Sequence, residues 1–192
     1  LLPKLLRIDV NEAFRQFKSS DDARTEEVIT RDFIVENETI CGKTLRDIDL
    51  RRMTGCTVSR IQKGEEVETA SPDTRLEAGD VVRAVGTQHD LEQMELVIGS
   101  HTEKPMPLKS DFIIQTVLVT NKSIVNQPIS KIQVRNGCNA VVTRIRRAGI
   151  DFTAQPSTTL KFGDKLTIGC RKEDFEKIAH TLGNNSRALS DT

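Results

Sequence analysis

Few residues in this chain have a type and spacing that could do chemistry. His89, His101 and His180 are far apart and form no H-x-x-x-H or H-E-x-x-H pattern. Without ligand spacing, surface or capping positions are expected for them. Cys41, Cys56, Cys138 and Cys170 form no C-x-x-C pair and have no histidine at metal-ligand spacing. They are expected as reduced cysteines, mostly small core hydrophobes of a cytoplasmic chain. There is no G-x-S-x-G elbow, no Walker loop, and no G-x-G-x-x-G after a strand. The sequence therefore offers no catalytic residue, no metal site and no nicotinamide dinucleotide site. The nearest thing to a phosphate cradle, "RNGCNA" at 135–140, reads more simply as a helix stop.

What remains is two carboxylates and a set of arginines. Asp80 follows Gly79 and Asp164 follows Gly163. A Gly-Asp pair before a strand is first a turn device: glycine supplies a positive φ, and the carboxylate bonds the turn's own backbone. Arg60 lies between Val58 and Ile61, and Arg144 between Val142 and Ile145. Strict strand alternation would put those two apolar residues on opposite faces, so a bulge or a two-sided strand is expected. One reading has both arginines face a cleft between two units and bind an anion or nucleotide. The other, the commoner fate of an arginine, is an inter-unit salt bridge or an exposed strand position.

These residues recur because the chain repeats. Residues 33–99 line up with 117–183 without a gap, and more than a quarter of the positions are identical. The best stretch reads "SPDTRLEAGDVVRAVG" in the first copy and "QPSTTLKFGDKLTIGC" in the second. The copies are unequal. Cys170 stands opposite Gly86, with Gly169 one position earlier, and Arg146 and Arg147 stand opposite Gln62 and Lys63. If only one copy binds a ligand, Arg146 and Arg147 join Arg60 and Arg144 as candidates.

Each copy should fold as β-α-β-β-β-α. "DFIVEN" (32–37) is the expected first strand and "TLRDIDLRR" (44–52) a short helix. Thr44 with Asp47 makes a capping box, and Gly55 ends the helix in left-handed geometry. Pro128 occupies the matching first turn in the second copy. "CTVSRIQ" and "AVVTRIR" are strands, a third follows around Val67 or Phe152, and "VVRAVG" and "KLTIGC" are the fourth. In the Pro-x-Thr-x-Leu-x-x-Gly-Asp loop between them, Leu76 and Leu160 should plug the core. A helix closes each copy, with Asp90 or Asp174 as N-cap and Gly99 or Gly183 past its end. The expected division is an N-terminal helix (Val10, Ala13, Phe14, Phe17) and linker over 1–31, a module over 32–99, a stiff Pro-containing linker over 100–110, a second module over 111–185 and a tail over 186–192. The fold class is α+β, with small sheets and helices packed on one face.

"GCTVSRIQKGEEVETASPDTRLEAGDVVRAVGTQHDLEQM" resembles the C-terminal regulatory module of potassium-conductance regulators, called RCK_C or TrkA-C. Residues 33–99 carry the pattern well and 117–183 more weakly. Tandem modules of this kind are similar to the cytoplasmic insert of the aspartate:alanine exchanger family of bacterial membrane transporters. That resemblance implies a regulatory, ligand-sensing domain on the cytoplasmic face of the inner membrane. Its partners would be the transmembrane helices of the same parent chain, and its function would be tied to ion or amino-acid transport. "LLPKLLRIDV" would then be the exit from a membrane helix, and the chain a segment of a longer one. A cyclic dinucleotide or another small anion at a module interface is the implied ligand. Two alternatives stay open: a free-standing regulatory subunit of a cation channel or transporter, and a purely structural dimerisation module. A homodimer is expected, since small paired sheets gain from a second copy.

Composition agrees with a binding or regulatory role. Lys plus Arg and Asp plus Glu are each 28. No basic excess exists to displace counterions from a nucleic-acid polymer. There is no Trp or Tyr to stack on bases. No apolar run approaches a membrane span.

Overall fold

The computed structural model describes residues 26–107, 111–132 and 140–186. The N-terminal helix expected at Val10–Phe17, the helix stop expected at 135–139 with Cys138, and all but the first residue of the tail lie outside the described residues. No described helix is long and apolar enough to cross a membrane.

The first module runs β1 (Ile29–Ile34), α1 (Leu45–Ile48), α2 (Leu50–Thr54), β2 (Thr57–Lys63), β3 (Glu66–Thr69), β4 (Val81–Gly86) and α3 (Gln88–Ile98). A two-residue strand, β5 (His101–Thr102), follows. The second runs β6 (Phe112–Leu118), a 3-10 turn at Ile129–Lys131, β7 (Ala140–Arg147), β8 (Ile150–Thr153), β9 (Lys165–Arg171), a 3-10 turn at Lys172–Asp174, and α4 (Phe175–Leu182). The sheets have orders β3-β2-β4-β1-β5 and β6-β9-β7-β8. Every pairing is antiparallel. Apart from β5, the two orders are the same once equivalent strands are matched. The duplication in sequence is thus a duplication of topology.

Each sheet buries one face under its own helices. Phe33, Ile61, Val82, Leu91, Met94 and Ile98 are fully buried in the first module. Val117, Ile145, Leu166, Ile168, Ile178 and Leu182 do the same in the second. Leu76 and Leu160 plug these cores from the Gly-Asp loops, as expected. Burying such a side chain is worth about 1.5–3 kcal/mol.

Several boundaries differ from expectation for local physical reasons. The first strand is Ile29–Ile34 rather than 32–37. After Ile34 the chain leaves the ladder: the Val35 N–H donates to Asp80 O, and the Glu36 and Asn37 N–H groups donate to Ile98 O, capping the end of α3. The single helix expected at 44–52 is two, because Asp49 adopts left-handed geometry (φ 51°). The capping box of Thr44 and Asp47 is present. Pro128 precedes its 3-10 turn as N-cap, one position earlier than placed from sequence.

Asp90 is not the N-cap of α3. Thr87 is, accepting from the Asp90 N–H at 3.2 Å while Asp90 Oδ2 accepts from the Thr87 N–H at 3.0 Å. The Thr-x-x-Asp spacing of a capping box was there to be read. Asp174 does hold the N-cap position of α4. The segment after Gly99 is not wholly linker. His101 and Thr102 extend the first sheet beside β1, and Met106 is buried with its N–H donating to Asp32 Oδ2 at 3.2 Å.

Candidate functional site

The helix-free faces of the two sheets meet, and the strand bulges decide what stands there. The β2–β4 register shifts between Val58 and Arg60, and the β7–β9 register between Val142 and Arg144. The extra residue, Ser59 or Thr143, lets the flanking Val and Ile share the helix-side core. It also turns Arg60 and Arg144 towards the opposite module. The three-residue Val–Ile spacing therefore reports a bulge, as the sequence implied.

Arg60 is 1% exposed. Among the described residues its Nε, Nη1 and Nη2 are buried with no hydrogen-bond partner. Its guanidinium lies 4.9 Å from the centre of the Phe112 ring on β6, a cation–π contact. Gly169 on β9 makes that contact possible, since a Cβ there would come within 2.7 Å of the ring. This accounts for the glycine that sits one position before Cys170.

The nearby charges do not neutralise Arg60. Arg83, its register neighbour on β4, holds Asp32 through two bonds of 2.7 and 2.6 Å. Burial, followed by the positive charge of Arg83 and only partly opposed by Asp32, pushes the Arg60 guanidinium down to about 10. It remains protonated at neutral pH. Arg144 crosses between modules to donate from Nη2 to Val28 O, and its Nε is buried with no partner among the described residues.

A cavity of about 370 Å³ lies between the sheets at this point. Arg60, Arg83 and Arg144 line it, with hydroxyls from Ser59, Thr143 and Thr167, and no carboxylate. Val85 and Phe112 give it an apolar side, and Ile114, 53% exposed, is at its mouth. A second cleft, about 190 Å³, runs from Arg46, Arg51 and Pro72 of the first module to Pro156 of the second. Besides Arg144 to Val28, Thr57 Oγ1 donates between the modules to Ala154 O at 3.1 Å.

The other candidates stand elsewhere. Arg146 pairs with Asp151 through bonds of 2.8 and 2.7 Å at the surface. Arg147 holds Asp164 through two bonds of 2.7 Å, donates to Thr159 O, and lies 5.4 Å from the Phe152 ring. Neither lines the inter-sheet cavity. Gly79 and Gly163 both have φ 85°. Asp80 Oδ2 accepts from the Glu77 N–H at 2.9 Å, and Asp164 Oδ2 from the Lys161 N–H at 2.8 Å. Both pairs are turn devices. No group of three or more potential metal ligands occurs among the described residues.

Sequence reasoning missed Phe112, Gly169 and the Arg83–Asp32 pair. Arg83 had a signal, since it alternates with buried Val82 and Ala84 and so must face the other side of the sheet. Phe112 and Gly169 had none, because their contact runs diagonally between neighbouring strands, Phe112 standing opposite Arg171 and Gly169 opposite Ile114.

The TrkA-C domain family matches residues 29–99 and 113–183. An uncharacterized transporter of Bacteroides fragilis is 35% identical over 192 residues, covering all of this chain and 36% of the relative. The chain spans about a third of the length of the curated relatives it matches. Among solved structures, the RCK_C domain dimer of S. agalactiae BusR in complex with c-di-AMP is similar at 22% identity and TM-score 0.34, covering 36% of this chain and 88% of that one. The GsuK RCK domain is similar at 11% identity and TM-score 0.40, covering 84% and 65%.

Proposed function

The chain belongs to the TrkA-C (RCK_C) domain family, and on that premise we propose that it is the ligand-responsive regulatory domain of a bacterial membrane transporter. It stands on the cytoplasmic face of the inner membrane as part of a longer chain and assembles as a homodimer. Its partners are the membrane-spanning helices of that chain. Two findings support the reading: tandem domains of a regulatory family, and full-length similarity to a third of a protein named as a transporter.

The observation that carries the mechanism is the contact between modules. Each module has its own apolar core, whereas the surfaces that meet enclose a cavity lined by three arginines and several hydroxyls beside apolar side chains. Such a contact is where we place the joint between two packings. A ligand with different affinity for two packings would shift between them, and the flanking helices would read the shift. Allosteric coupling of this kind is typically worth about 1–3 kcal/mol.

The test is transport by the full-length protein in liposomes, with Thr57→Arg wedging the joint beside the Ala154 carbonyl. The expected result is an altered transport rate with unchanged half-saturation for the transported substrate. A rate equal to the parent's would contradict the regulatory reading.

A further inference from the structure

The geometry points to the inter-sheet cavity as a binding site for a small organic oxyanion, a carboxylate or phosphate whose charged group meets Arg60 and Arg144 and whose body lies against Val85 and Phe112. This rests on the regulatory reading and deepens it by assigning the site and the ligand's class.

The argument is one of charge. A fully buried guanidinium with no hydrogen-bond partner is among the costliest arrangements a fold can hold. A chain that needed only to fill this space would do better with methionine or leucine. Three arginines line the cavity and no carboxylate does; Asp32 is engaged with Arg83 and the Met106 N–H, and Asp151, whose carboxyl feels the Arg144 charge, is held by Arg146. Phe112 covers one face of the Arg60 guanidinium but accepts none of its in-plane donors. Those donors and the buried Nε of Arg144 are the polar groups left over. An oxyanion is the acceptor such donors fit best, since a guanidinium matches carboxylate and phosphate in two-point geometry. The neighbouring Thr167 hydroxyl can donate to it as well.

Size restricts the class. About 370 Å³ is at the small end of the roughly 300–1,000 Å³ of ligand pockets. That suits a single anionic group on a compact, partly apolar body. Ligand binding has a ready consequence: an anion drawing Arg144 inward competes with Val28 O, loosening the chain that leads into β1.

The experiment is thermal unfolding of the 192-residue chain with inorganic phosphate, benzoate or adenosine monophosphate, against two variants. Arg60→Met removes the charge and keeps the bulk. Thr69→Glu puts a carboxylate on β3 directly across from Arg60, in register with it. The parent is expected to gain several degrees in melting temperature with at least one of the three anions, saturably. The benzoate and phosphate arms separate the two head groups. Both variants are expected to melt higher than the parent without anion and to lose the response. Should Arg60→Met not fold, Thr69→Glu still decides. An unresponsive parent overturns the site, as does a response surviving in both variants, or variants that melt lower than the anion-free parent. An anion response that leaves transport unchanged would uphold the site and overturn the regulatory reading instead.

Discussion

At the scale of single residues, the same Gly-Asp turn is used twice with different surroundings. Asp164 is 1% exposed, and Arg147 neutralises it through two bonds. Asp80 sits at the equivalent place with Gly79, but Lys63 replaces the arginine and makes no ion pair with it. Burial outweighs the Glu77 N–H bond and pushes the Asp80 carboxyl above its usual value. A carboxyl raised in the folded state favours folding when protonated. Its contribution is fully present below the ordinary value of 3.8 and is lost as pH rises through the folded value. Asp80→Asn should therefore flatten the stability profile above that pH and cost about 1 kcal/mol or less at pH 7. Asp164→Asn breaks an ion pair and strands Arg147, and should cost more, about 1–3 kcal/mol. Urea unfolding of the two variants across pH checks both the order and the profile.

At the scale of elements, most of the fold was legible and the errors were instructive. Strand and helix order followed from apolar periodicity, and the bulges from a Val–Ile spacing that alternation forbids. The site arginines were visible for the same reason. The break of the 44–52 helix at Asp49 is not visible in sequence, because an aspartate carries no strong breaking signal. The start of α3 was misplaced because two residues of one capping box compete for the cap. The pairing of His101 and Thr102 with β1 inside the stiff Pro-containing linker has no signal in sequence, because two residues joining a sheet leave no periodic trace. What makes Arg60 matter is whether an acceptor faces it from the other module, and no local pattern encodes that.

Glycines at element ends give a sharper check. Gly79 and Gly183 both have positive φ, but a Cβ on Gly79 meets nothing within 4 Å. On Gly183 it would come within 2.4 Å of Thr120 Oγ1 and 2.5 Å of the Asn121 nitrogen, where the end of α4 meets the chain leaving β6. Gly79→Ala should cost about 1–2 kcal/mol, the left-handed penalty alone. Gly183→Ala should cost visibly more, because backbone cannot step aside. Chemical denaturation ranks the two, and equal costs would mean that the crowding at α4 relaxes freely.

At the scale of the whole molecule, the overall charge balance conceals a local imbalance. Lys plus Arg matches Asp plus Glu across the chain, yet three arginines and no carboxylate line the inter-sheet cavity. Duplication supplied two sheets with free faces, and divergence made them different. The first copy contributes the buried cation, and the second contributes Phe112, Gly169 and the arginine that reaches Val28. The site belongs to neither copy alone, which is what a sensor of module packing requires.

The most direct test of that account is transport by the full-length protein in liposomes, with adenosine monophosphate, benzoate or phosphate on the side facing this domain, for the parent and for Arg60→Met. The account predicts that the parent's rate depends on at least one of these anions and that the variant's rate does not. A variant as anion-sensitive as the parent would contradict it.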